Sequence, residues 1–76
     1  MWEREFGKQK AALAINIKAI RLEKGLAQER LALEAGVDRT LVSKIERQIG
    51  NPSLEILVKI AVILKIPVTS LLADVK

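Results

Sequence analysis

Residues 36–47 read GVDRTLVSKIER. On a helix turning by about 100° per residue, Arg39, Thr40, Ser43, Lys44 and Arg47 share an arc of about 140°. Leu41, Val42 and Ile45 take the opposite side, and Glu46 sits on the seam between the two faces. An ordinary solvated face mixes charges of both signs, whereas this one carries three cations, two hydroxyls and no acid. Such a set suits contact with an anionic partner better than it suits a catalytic step.

The rest of the composition narrows the chemistry further. With no histidine and no cysteine in 76 residues, the commonest metal ligands and general bases are missing, and no disulfide can form. Neither a metal nor a cofactor is expected, and no small-molecule substrate is evident. An enzyme would have to work with carboxylates, Lys or Ser in a chain too small to enclose much of a cleft. Net charge is +4 and unevenly spread: residues 1–38 hold seven cations and six acids, residues 39–76 six cations and three acids. The excess of positive charge therefore begins where the unusual helix begins. LEILVKIAVILKIPV, at 54–68, is the most apolar stretch, but Glu55, Lys59 and Lys65 interrupt it well short of the ~18 residues of a membrane span. The start, with Glu3, Arg4 and Glu5, does not resemble a signal peptide. A soluble, cytoplasmic protein is the expectation, with no role at a membrane.

The elements that must position the helix follow from periodicity. The chain is one domain, 1–76, without repeats or a linker, and its aliphatic composition favours packed helices. A first helix is predicted from Lys8 to Lys24, with Leu13, Ile17 and Ile20 inward and Gly25 ending it. Ile15, Ala19 and Leu22 form a second apolar stripe, which predicts that little of this helix is wetted. Residues 1–7 are ambiguous, because Trp2 and Phe6, four apart, can extend the helix or fold back over it. A second helix, Gln28–Ala35, ends at Gly36. Asp38 is placed to cap a third, from Arg39 to about Arg47. Ser53 can cap a fourth, Leu54–Leu64, and Asn51 followed by Pro52 is nearly as good a cap. After Pro67 a short fifth helix covers about Val68 to Leu72. An all-α, compact five-helix bundle is expected.

The link around Gly36 is so short that helices two and three must cross steeply, as in a helix-turn-helix spanning 28–47. Ala32 is small where the helices approach most closely, Gly36 can take a positive φ in the turn, and Leu31, Ala35, Val37, Val42 and Ile45 are apolar where the pair buries itself. The segment LAQERLALEAGVDRTLVSKIER resembles the helix-turn-helix of the phage repressor/Cro-type (XRE) family, known as lambda repressor-like domains. IRLEKGLAQ and NPSLEILVKIAVIL resemble flanking family segments, so the likeness runs from about Leu13 to Leu72. The DRT…S.IER run further resembles small controller proteins of restriction–modification systems.

That resemblance implies a transcriptional regulator that binds a double-stranded DNA operator. Arg39, Thr40, Ser43 and Lys44 would face base edges, while Gln28, Arg47 and Asn51 would contact phosphates. It also implies a buried ion pair between Arg21 and Glu46. One such domain covers little DNA, so a homodimer on repeated half-sites is expected. With no separate oligomerisation domain, Ile66, Val68, Leu71 and Leu72 are the candidate interface, with Trp2 and Phe6 behind them. The chain departs from the family at Ala27, where Ser or Thr is usual, at Gln48, where Gly is common, and at Gly50, where a basic residue is common. The rival reading is a protein-interaction module, such as an antitoxin that binds a partner protein, because fold alone does not fix function.

Overall fold

The computed structural model describes residues 1–75. Four α-helices, α1 (Trp2–Glu23), α2 (Gln28–Ala35), α3 (Leu41–Glu46) and α4 (Leu54–Leu64), precede a 3-10 turn at Val68–Leu71. The expected fifth α-helix is therefore only a turn. Pro67 fixes the entry at φ −64°, and the bonds that follow span three residues: Ser70 N–H to the Pro67 carbonyl at 3.0 Å and Leu72 N–H to Thr69 at 3.1 Å.

α1 absorbs the ambiguous N-terminal residues as two further turns. Trp2 and Phe6 pack along the helix with centroids 6.1 Å apart, and the Lys10 ammonium lies 5.1 Å from the centre of the Phe6 ring. Gln9 donates to Glu5 one turn back at 2.7 Å, and Glu3 and Glu5 sit favourably at the positive end of the helix dipole. The second stripe of α1 is exposed, contrary to expectation: Ile15 and Leu22 are 50% and 57% accessible, and Ala19 is exposed with them. α1 packs against α3 and the 3-10 turn, which occupy one side only.

The core is built from Ile17, Leu31, Val42, Ile60, Leu64 and Leu71, all fully buried. α2 packs against both α3 and α4, so the helix-turn-helix pair rests on the two long helices. Ala32, with no exposed surface, is the small residue in this contact. Ser53 rather than Asn51 caps α4, its Oγ accepting from Ile56 N–H at 3.2 Å. Ala27 offers α2 no side-chain cap.

All four helices stop in the same way. In each, two backbone N–H groups turn back onto carbonyls of the last turn, the arrangement that requires a residue in the left-handed conformation. Gly25 and Gly36 fill this place after α1 and α2, at φ 70° and 69°. After α3 and α4 it is filled by Gln48 and Lys65, both at φ 60°. Behind α3 the bonds run from Gln48 N–H to the Ile45 carbonyl at 3.0 Å and from Ile49 N–H to Lys44 at 2.8 Å.

Candidate nucleic-acid interface

The start of α3 is set by one carboxylate. Asp38 Oδ1 accepts from both the backbone N–H and the Oγ1 hydroxyl of Thr40, each at 2.8 Å. The amide bond first, then the hydroxyl bond, with smaller help from Lys44 and Arg39, holds the Asp38 carboxyl below its ordinary value. Leu41 N–H meanwhile bonds the Asp38 carbonyl at 3.0 Å, closing a tight turn, and the first helical bond runs from Lys44 N–H to Thr40. Arg39 and Thr40 thus lie in a lead-in turn and α3 proper begins at Leu41, two residues later than the periodicity predicts. Asp38 still caps this turn, because its side chain reaches the amide two residues on.

The end of α3 is fixed from inside. Arg21 on α1 and Glu46 form a two-pronged pair, Nε to Oε2 at 2.7 Å and Nη2 to Oε1 at 3.1 Å, with side chains only 8% and 6% accessible. Arg21 Nη1 also donates to the Leu26 carbonyl at 2.7 Å, and Gln28 Nε2 donates to Glu46 Oε1 at 3.0 Å. Among the described residues no buried side-chain polar atom lacks a partner. Glu46 on the seam of α3 therefore ties together α1 and the first residue of α2, and its partner Arg21 adds the 24–27 loop. The Gln28–Glu46 bond escaped the sequence reading, which gave Gln28 to an external partner. Gln28 shares Oε1 with Arg21, and the spare lone pair of a carboxylate oxygen on the seam was the available signal.

Between these anchors the polar face is open. Arg39, Thr40, Lys44 and Arg47 are exposed and Ser43 is half-buried. Among the described residues, Arg39, Lys44 and Arg47 enter no salt bridge; the nearest internal bond is Arg47 Nε–H to the Ser43 carbonyl, a long 3.4 Å. Arg39 edges a shallow groove shared with Ala27, Glu29, Arg30 and Leu33 of the α2 side. Asn51 is exposed just ahead of α4, and Gln28 is half-buried at the start of α2. Arg39 and the start of α2 thus share one groove, while Asn51 borders a separate cleft with Phe6 and Pro52.

The family model Helix-turn-helix (HTH_3) matches residues 17–71. The chain belongs to this family. The helix-turn-helix chain is 41% identical over 63 residues to a hypothetical transcription factor of Neisseria meningitidis serogroup B, and 42% identical over 59 residues to the HTH-type transcriptional regulator SinR of Bacillus subtilis. These alignments take in 83% and 76% of this chain but 59% and 53% of the relatives, so it spans little more than half their length.

Among solved structures, the restriction–modification controller protein C.AhdI from Aeromonas hydrophila superposes with a TM-score of 0.78 at 35% identity, covering 82% of this chain and 94% of that one. SinR in complex with DNA superposes with a TM-score of 0.75 at 39% identity, covering 80% and 98%. The helix-turn-helix assignment and the all-α fold therefore agree with the sequence reading. No helix among the described residues is long and apolar enough to cross a membrane.

Among the surface residues expected to join two copies, Leu71 is wholly buried and has no surface to offer. The turn directs it into the core cluster that also holds Leu64. Ile66 and Val68 are half-buried against the same core, and Leu72 is exposed.

Proposed function

We propose that this chain is the DNA-binding domain of a sequence-specific transcriptional regulator. The observation that carries the reading is the open face of Arg39, Thr40, Ser43, Lys44 and Arg47, whose cations have no internal ion pair while the helix beneath is clamped by Arg21 and Glu46. A helix lying in the major groove needs this combination of free donors outside and fixed orientation inside. Arg39, Thr40, Ser43 and Lys44 face base edges. Thr40 gives its hydroxyl proton to Asp38, so toward a base it presents lone pairs only, which favours the amino groups of adenine or cytosine. Gln28, Arg47 and Asn51 take phosphates. One Gln28 N–H is held by Glu46, and the second remains for a phosphate beside the free amides that open α2.

Two copies on repeated half-sites complete the reading, since one domain of this size buries too little DNA for tight binding. Leu72 supports a surface for this dimer: with Phe6, Leu57 and Pro52 it lines a small apolar cleft of about 90 Å³, and Trp2 lies one turn from Phe6. Sedimentation at micromolar concentration should give twice the monomer mass, and Leu72→Glu should return it to the monomer without unfolding it. A restriction–modification controller role, in the cytoplasm, rests on the similarity to controller proteins of such systems.

The deciding experiment is selection of duplexes from a random pool, followed by affinity measured across salt. The expected result is a preferred sequence and a linear fall of log affinity with log salt, by roughly 0.9 for each phosphate neutralised. A protein that enriches no sequence and shows no salt slope is not a DNA reader, and a docking module for another protein becomes the better account.

A further inference from the structure

The two helices that end without glycine do so on different terms. An L-residue in the left-handed conformation is strained, and the same closing bonds are made after α1 and α2 by Gly25 and Gly36 without that strain. Lys65 has an offset within the fold, because its ammonium is carried at the negative end of α4. Gln48 has none. It is uncharged and exposed, its side chain makes no hydrogen bond among the described residues, and its neighbour Ile49 is also left 49% accessible. Strain kept where the chain itself gains nothing is a mark of function.

Its position states which function, and here the inference rests on the DNA-binding reading above. Gln48 directly follows Arg47, at the end of α3 opposite the Arg39–Thr40 turn, and stands three residues before the exposed Asn51. Between Arg47 and Asn51 there is no acid. We infer that Gln48 is a DNA-backbone contact, its carboxamide N–H₂ donating to a phosphate oxygen next to the one that Arg47 takes. Left-handed geometry at this residue closes α3 and leaves an exposed carboxamide on the residue next to Arg47 in the chain. A neutral donor adds affinity but releases no counterion, so its signature differs from that of a lysine or arginine.

The test compares Gln48→Gly with Gln48→Ala in the intact chain, against the selected operator and its single-base variants. Gln48→Gly should melt about 4 °C higher, with the strain relieved, and Gln48→Ala should melt close to the parent. Both should bind roughly tenfold more weakly, the loss expected for one hydrogen bond to a charged group. The salt slope and the order of preferred sequences should be unchanged in both. Unaltered affinity in both variants overturns the inference, and so does a loss confined to Gln48→Gly, which would trace the effect to backbone freedom. A changed order of sequences makes Gln48 a base reader and overturns the phosphate assignment. If the parent itself enriches no DNA, the DNA-binding reading fails first and this contact with it.

Discussion

Replacing Glu46 by alanine removes the acceptor of three hydrogen bonds: two from Arg21, at 2.7 and 3.1 Å, and one from Gln28, at 3.0 Å. The guanidinium keeps only the Leu26 carbonyl, at 2.7 Å, in a site where its side chain is 8% accessible. Water cannot replace what is lost without opening the junction of α1 and α3. Breaking a buried pair from one side is worth about 3–5 kcal/mol. A domain of this length has a total stability of about 4–11 kcal/mol. At about 4–8 °C per kcal/mol, the melting temperature should fall by at least about 12 °C. Thermal and urea melts followed by far-ultraviolet circular dichroism measure this directly. The control is Arg21→Met with Glu46→Leu, which removes both charges and fills the space. It should regain most of the loss, because apolar replacements of a buried pair are often neutral or stabilising. A Glu46→Ala protein melting within about 3 °C of the parent would refute the reasoning, since no buried guanidinium could then have been stranded.

Three further outcomes follow from the same geometry. Arg39→Ala should weaken binding to the preferred site by about 1–3 kcal/mol and flatten the preference at one base, whereas Gln28→Ala should weaken all sequences alike; a panel of single-base operators read at fixed salt separates them. Asp38 accepts two bonds from Thr40 and its carboxyl is held below the ordinary 3.8, so its stabilisation is complete above that value and is lost as pH falls through the lower folded value. Asp38→Ala should abolish that component of the acid transition, as followed by comparing parent and variant melts between about pH 5 and pH 2, a window that brackets the ordinary carboxyl value. Lys65→Gly should stabilise less than Gln48→Gly in parallel melts, because it relieves strain but also removes a cation from the end of α4; equal gains would show that the charge contributes nothing.

Much of this fold could be read in advance because the deciding signals are local. α2 ends before Gly36 and α4 begins after its Ser53 cap, as those local signals predict, and Ala32 and Gly36 have the jobs their sizes suggest. The Arg21–Glu46 pair was readable only through resemblance, since nothing local says that residues 25 positions apart will meet. Other features depended on what packs against what. Ile15 and Leu22 have the spacing of a buried stripe, yet no helix among the described residues covers that side of α1. Val68–Leu72 has the apolar spacing of a helix but forms only a 3-10 turn, in which Leu71 is buried. Thr40 lies outside the element expected for it, because the Asp38 carboxylate stabilises a tight turn before α3 at a scale of two residues, finer than helical periodicity resolves.

Arg21 also limits how the recognition surface can be moved. Its guanidinium touches the end of α3, the loop before α2 and, through Glu46, the first side chain of α2, yet it belongs to none of those segments. A peptide of residues 28–47 would carry all the side chains of α3 but would leave Glu46 without its cation. Chimaeras that exchange operator preference between related domains should therefore take their boundaries outside Arg21, or keep an arginine at that place in the recipient. The portable unit is the helix pair together with one residue of α1.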